Sequence, residues 1–233
     1  MSGRQFRQHI PRPHGTVPGG IAPWAGLATE RRRPIRLEQV ATALAPVLSP
    51  AEEEPEERPA AAVLVPLFEQ DGETSVLLIR RSHFLARNPG DIAFPGGGLE
   101  RREAAVQAAL REAEEEVALP AASVRVLGRM EMVSRTRRGG RIAPYLGVLA
   151  APPSGLRAQP HEVDELLVVT LADLAEDGAY WEERWDMPGE GSRVLSFFAH
   201  RGALPDDVIW GMTAGILRQL LSAVLLASDP AGS

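Results

Sequence analysis

Glu112, Glu115 and Glu116 lie in residues 101–117, a stretch rich in Ala, Leu, Glu and Arg that contains neither Gly nor Pro. That composition predicts a helix. On a helix, positions three and four apart differ by about 60° and 40° of rotation, so the three carboxylates project from one side. Left unbalanced, such like-charge pairs cost on the order of a few tenths of a kcal/mol each. A hard divalent cation reverses the sign. Mg²⁺ prefers oxygen ligands and keeps several waters, which suits a carboxylate cluster facing phosphates. Arg111 stands four residues before Glu115 and can pair with it, orienting one carboxylate. A solvated acidic face is the commoner origin of a Glu run, and Glu114 is assigned to that role.

The elements that must position this helix are legible around it. Ala61–Phe68 and Thr74–Ile79 read as two strands joined by a hairpin turn at Glu69-Gln70-Asp71-Gly72. Residues 80–98 are irregular and hold Asn88-Pro89-Gly90 and Pro95-Gly96-Gly97-Gly98, a glycine density that marks close approach of backbone to a neighbour. Further strands are expected at Val124–Gly128, Ala143–Ala150, Leu166–Thr170 and Arg193–Phe198, with helices at Arg36–Leu48 and Asp207–Ala227. Strands with helices before and after them predict an α/β fold with a mixed sheet between helical layers. Residues 1–35, rich in Arg, Pro and Gly, read as a flexible arm: a targeting or partner-binding tail, or more commonly a solvated extension. Residues 36–228 form the single expected domain, and 229–233 a tail.

Composition narrows the function. The 233 residues include no Cys, which removes disulfides, thiolate metal sites and cysteine nucleophiles and fits a reducing compartment, the cytoplasm. No apolar run approaches the roughly 18 residues needed to span a bilayer, and no secretory signal is seen, so no membrane partner is expected. The net charge of −6 argues against general nucleic-acid binding. All 25 basic residues are Arg. A phosphate-binding loop that needs a Lys after its glycines is therefore excluded, and any phosphate clamp must use Arg, backbone N–H groups and metal.

Gly97, five residues, Glu103, seven residues, then Arg111-Glu112-Ala113-Glu114-Glu115-Glu116-Val117-Ala118-Leu119 resembles the Nudix box. Gly97, Glu103, Arg111, Glu112, Glu115, Glu116 and Leu119 fall on its named positions. Ala113 is a small occupant of an aliphatic position, and Ala118 stands where glycine is expected. The resemblance implies a Nudix-type α/β/α sandwich around a mixed sheet. It also implies Mg²⁺ or Mn²⁺ on Glu112, Glu115 and Glu116, with Arg111 and Glu103 orienting them, and hydrolysis of a nucleoside diphosphate linked to another group.

A second resemblance concerns the substrate. Leu77, Leu78, Arg81, Ser82, Gly90, Phe94, Pro95, Gly96 and Gly97 match the coenzyme A pyrophosphatase branch of that family. Glu162-Val163, Leu171-Ala172-Asp173-Leu174 and Ile209-Trp210-Gly211-Met212-Thr213-Ala214 also resemble it, so the likeness covers about residues 61–227. Two positions depart: Ala86 stands where the branch has Arg, with Arg87 beside it, and Asp91 where it usually has Gln. The implied small-molecule substrate is coenzyme A or an acyl-coenzyme A, cut to 3′,5′-ADP and 4′-phosphopantetheine. Alternatives are ADP-ribose, a dinucleotide, another nucleotide, or a catalytically weak nucleotide sensor; a homodimer is compatible with either class. Arg81, Arg87, Arg135 and Arg141 are candidate phosphate contacts with Gly96 and Gly97, since the guanidinium fork binds two oxygens. Glu115, Glu116 and Glu162 are candidate catalytic groups. His161 is a weaker one, and Trp210 reads as core.

Overall fold

The computed structural model describes residues 8–134, 140–187, 189, 191–199 and 208–227. Its strands are β1 (Val17–Pro18), β2 (Ala61–Gln70), β3 (Glu73–Arg81), β4 (Ile92–Ala93), β5 (Gly96–Gly98), β6 (Val124–Arg129), β7 (Val133–Ser134), β8 (Arg141–Leu149), β9 (Val163–Thr170), β10 (Tyr180–Met187), β11 (Gly191–Ala199) and β12 (Val208–Trp210). Its α-helices are α1 (Thr29–Arg32), α2 (Leu37–Leu44), α3 (Ala105–Val117), α4 (Leu171–Leu174) and α5 (Gly211–Leu225).

The larger sheet runs β4-β3-β2-β8-β6, with β5 on β2, β7 on β8 and β9 on β3. β2 and β8 are parallel and the other pairs antiparallel, which makes the sheet mixed. The apolar runs of β2 and β3 are continuous because each buries both faces. Ala62, Leu64, Leu77 and Ile79 pack on one side against Ala105, Ala108, Ala109, Ala113 and Val117 of α3. Val65, Leu67, Val76 and Leu78 pack on the other, with Val40 and Leu44 of α2 and Ile216, Leu217, Leu220 and Leu221 of α5. This is an α/β/α sandwich. Small Ala side chains on α3 let that helix lie close to the sheet, and of its glutamates Glu114 and Glu115 stay exposed while Glu116 is buried.

A second antiparallel sheet, β1-β10-β11-β12, stands beside it. β10 escapes a reading by alternation because both its faces are partly covered: Tyr180 is buried on one, and Glu183 on the other beside Trp185. The opening segment is a correction to the expected flexible arm. From residue 8 it is docked: Trp24 is fully buried against Tyr180 and Phe198, and Val17 and Pro18 add a strand to β10. The arginines that made it look solvated find carboxylates, Arg12 on Glu183, Arg32 on Asp177 and Arg33 on Glu73 and Asp173. Those partners lie far along the chain, beyond the reach of a local reading.

The helix termini also differ from expectation. α3 starts at Ala105, not residue 101, because Arg102 takes a left-handed turn with φ +66°. α5 starts at Gly211, because Val208–Trp210 pairs with β11 as a strand and Gly211 turns with φ +65°. Residues 228–233, including the expected tail, lie outside the described residues.

Candidate active site around the carboxylate helix

The site begins with a close approach. β5 lies antiparallel to β2, and α3 passes over it. A Cβ on Gly97 would strike the Glu112 carboxyl, and one on Gly96 would strike the Ala62 carbonyl and Val63. Only glycine fits there. The same nearness lets the Gly96 N–H donate to Glu116 Oε2 at 2.9 Å.

Arg111 organises the outer side of the helix. It donates to Glu103 at 2.8 Å, Glu112 at 3.0 Å, Glu115 at 2.9 Å and the Gly98 carbonyl at 3.1 Å. Glu103, in the loop before α3, also accepts from the Glu100 N–H at 2.8 Å, and Arg111 holds its carboxyl below the usual range. The three box carboxylates therefore face different surroundings. Glu115 is exposed and turned to Arg111, Glu112 is half-buried between Arg111 and Gly97, and Glu116 is 3% exposed with Gly96 as donor. Glu114 is exposed.

Glu162 joins them through a stitched loop. The N–H groups of Arg157 and Gln159 donate to the carbonyls of Val117 and Glu116, and Ser82 N–H donates to the Glu162 carbonyl. This brings Glu162 into electrostatic range of both Glu112 and Glu116. Burial pushes Glu116 up to about 8; the Gly96 N–H and Arg81 oppose the rise, and Glu112 and Glu162 add to it. Glu112 is raised for the same first reason, against the pull of Arg111. His161 is exposed.

The helix ends as the motif requires but without its glycine. Ala118 adopts the left-handed conformation, φ 56° and ψ 36°, and the N–H groups of Ala118 and Leu119 return to the carbonyls of Glu114 and Ala113.

Beside the glycine strand lies a cavity of about 440 Å³. Its lining includes Arg81, Arg87 and Asp91, the backbone of Gly96, Gly97 and Gly98, and Trp210 and Met212 from the second sheet and the start of α5. The carboxylates of α3 are not in the lining; they stand behind Gly96 and Gly97. Arg81 thus meets both sides, since its charge acts on Asp91 and on Glu116. Arg141 instead donates to the Met132 carbonyl at 3.3 Å and is not in the lining. Arg135, with Arg137 and Arg138, lies outside the described residues. Trp210, read from sequence as core, is half-exposed and lines the cavity, and Gln8, which no sequence signal marked, reaches Asp91.

Whether these residues suit a divalent ion can be judged from the donors. Glu112 and Glu116 offer only oxygen, and the buried Glu116 carboxylate receives one backbone N–H where a lone buried anion needs more compensation. Among the described residues no three His, Cys, Asp or Glu side chains are gathered closely enough to enclose an ion as they stand, because Glu115 is held by Arg111. Its side chain is 58% exposed, so it can rotate toward the other two. The donor set fits a hard cation.

An α/β/α sandwich with these carboxylates behind a glycine strand defines a class, and the comparisons agree with it. The family described as the NUDIX domain matches residues 58–188. The chain belongs to the Nudix family. It is 36% identical over 162 residues to the uncharacterized Nudix hydrolase NudL of Klebsiella pneumoniae, a match spanning 69% of this chain and 80% of that protein. The NudL of Escherichia coli K12 is 37% identical over the same shares. A MutT/nudix family protein from Enterococcus faecalis matches with a TM-score of 0.46 and 19% identity, covering 82% of this chain and 70% of that one. Among the described residues no helix is long and apolar enough to cross a membrane.

Proposed function

We propose that this chain hydrolyses the diphosphate of coenzyme A or an acyl-coenzyme A, with Mg²⁺ or Mn²⁺, giving 3′,5′-ADP and (acyl-)4′-phosphopantetheine. The observation that carries the reading is the glycine strand: Gly96 and Gly97 are in contact with Glu116 and Glu112 on one side and line an arginine-bearing cavity on the other. Glu112, Glu115 and Glu116 would hold the metal. When bound, such an ion draws charge from the diphosphate and makes a coordinated water more acidic. Arg81 and Arg87 bind phosphate oxygens from the cavity side. Glu162, close to Glu112 and Glu116, accepts the proton of the attacking water as the bridging P–O bond breaks. Arg111 and Glu103 hold the helix face so that the carboxylates keep their places.

A second reading, ADP-ribose or another nucleoside diphosphate compound, has its own support: Ala86 is exposed and adds no cation, and Asp91 is part of the lining. Mass spectrometry of products from coenzyme A and ADP-ribose, with Mg²⁺ or Mn²⁺, tests both. The expected result is two phosphomonoester products from coenzyme A, lost in excess EDTA and restored by metal. Full turnover in chelator would sink the metal assignment. Cleavage of ADP-ribose alone would move the substrate, and turnover of neither would leave a sensing domain.

A further inference from the structure

Asp91, in the cavity lining, joins the opening segment and the strand before α5. It lies in the loop between β3 and β4, with its carbonyl accepting from Arg81 N–H at 2.9 Å. Its side-chain Oδ1 accepts from Gln8 Nε2 at 3.1 Å and from Trp210 Nε1 at 3.1 Å. Gln8 in turn accepts the N–H of Val208 at 3.0 Å, so its amide clamps Asp91 to the strand that carries Trp210. Gln8 is 8% exposed and Asp91 9%. Among the described residues both side-chain donors fall on Oδ1, and Asp91 lines the cavity.

The chemistry of that acceptor is restrictive. An ionised carboxylate accepts hydrogen bonds and cannot donate one. The Gln common at this position in the coenzyme A branch can donate to a phosphate through its NH₂, and Asp removes that option. Burial pushes the Asp91 carboxyl above its ordinary range, the donors Trp210 and Gln8 and the charges of Arg81 and His9 pull it back, and Arg87 stands in the same lining. A phosphate placed against the ionised form of Asp91 would be repelled in a sheltered site, where repulsion is screened little. A hydroxyl or amine would instead donate to it.

We infer that Asp91 is a specificity-determining residue that accepts a hydrogen bond from a substrate hydroxyl or amine and rejects a phosphate in that place, and that Gln8 positions it from outside the Nudix domain. The inference rests on the diphosphate-hydrolase reading. Dephospho-coenzyme A carries a 3′-hydroxyl where coenzyme A carries a 3′-phosphate, so the pair isolates the choice.

The wild-type protein with Mg²⁺ should cleave both coenzymes, with kcat/KM about tenfold higher for dephospho-coenzyme A than for coenzyme A, the scale of one charge-assisted contact. Asp91→Asn keeps the shape and adds a donor, and it should bring the ratio near one. Gln8→Ala should reduce the preference by raising KM for dephospho-coenzyme A while kcat holds. Arg12→Ala loosens the same segment at Glu183 without touching Asp91; it should lower Tm and leave the ratio alone. A ratio unmoved in Asp91→Asn overturns the role of Asp91, and equal shifts in Gln8→Ala and Arg12→Ala overturn the positioning role of Gln8. Should the wild type cleave neither coenzyme but cleave ADP-ribose, the coenzyme A reading fails alone. The same ratio, read between ADP-ribose and its 2′-phosphorylated counterpart, then decides Asp91. Turnover of none of these overturns both.

Discussion

Glu116 and Glu183 are both buried glutamates, one behind the glycine strand and one in the second sheet, and their surroundings differ in kind. Glu183 is 9% exposed and saturated with donors: Arg12 grips both oxygens at 2.9–3.0 Å, and the indole N–H groups of Trp181 and Trp185 donate at 3.2 and 2.8 Å. Burial pushes its carboxyl up, but Arg12, Trp185 and Trp181 outweigh that and hold it below the usual range. Glu116 is more buried and has one backbone donor, and it is pushed up to about 8. A fully compensated carboxylate ties two segments together. An under-compensated one is a place where a bound cation would supply the missing charge.

The sharpest way to break this comparison is to neutralise each group. Glu116→Gln keeps the shape and removes a charge proposed above to hold the metal, so kcat should fall on the order of a thousandfold in steady-state assays with Mg²⁺. Its Tm in metal-free buffer should hold or rise, since folding no longer has to desolvate and protonate that carboxyl. Glu114→Gln, on the exposed side, should change kcat by less than about twofold. Equal losses in the two variants would mean that the helix face is misassigned.

Glu183→Gln should act the other way, costing about 2 kcal/mol in denaturant unfolding while kcat per folded molecule stays near wild type. Arg12 is 44% exposed, which keeps the figure below that of a fully buried pair. The pH dependence follows in sign. A carboxyl whose folded pKa is depressed contributes stability above its unfolded value and loses it as pH falls through the folded one. The wild type should therefore lose stability on acidification below the usual Glu value of about 4.3, and Glu183→Gln should flatten that slope. An unchanged slope would show that Arg12 and the indoles do not hold the charge.

The smallest expected effect lies at the end of α3. Ala118 sits in the left-handed region, where a Cβ is costly. Ala118→Gly should stabilise the chain by about 1 kcal/mol with little change in kcat. A lower Tm would show that the methyl packs well enough to offset the strain.

Much of this was legible in the residues. The hairpin at Asp71-Gly72 and the strands of the large sheet follow from local pattern, because each strand carries its own apolar faces. The helix was legible in its composition, although Arg102 with φ +66° delays its start. The second sheet was not. β10 buries Glu183, and besides the indoles of Trp181 and Trp185 its compensation comes from Arg12, 171 residues away. The docking of the opening segment was hidden for the same reason, since arginines look solvated until their carboxylates are found.

The sequence by itself determined the chemistry on offer: carboxylates at helical spacing, glycines before them, arginines as the sole fixed cations and no thiol. These are properties of residue type and short-range spacing, which the backbone period converts directly into a face. The tertiary structure decided which carboxylate is buried and how far each is compensated. It decided that the Arg157–Glu162 loop is stitched to the end of α3, and that Gln8, Asp91 and Trp210 meet at one oxygen across as many as 119 residues from Asp91. Burial and long-range hydrogen bonding depend on how the two sheets and the opening segment pack, and no local pattern encodes that.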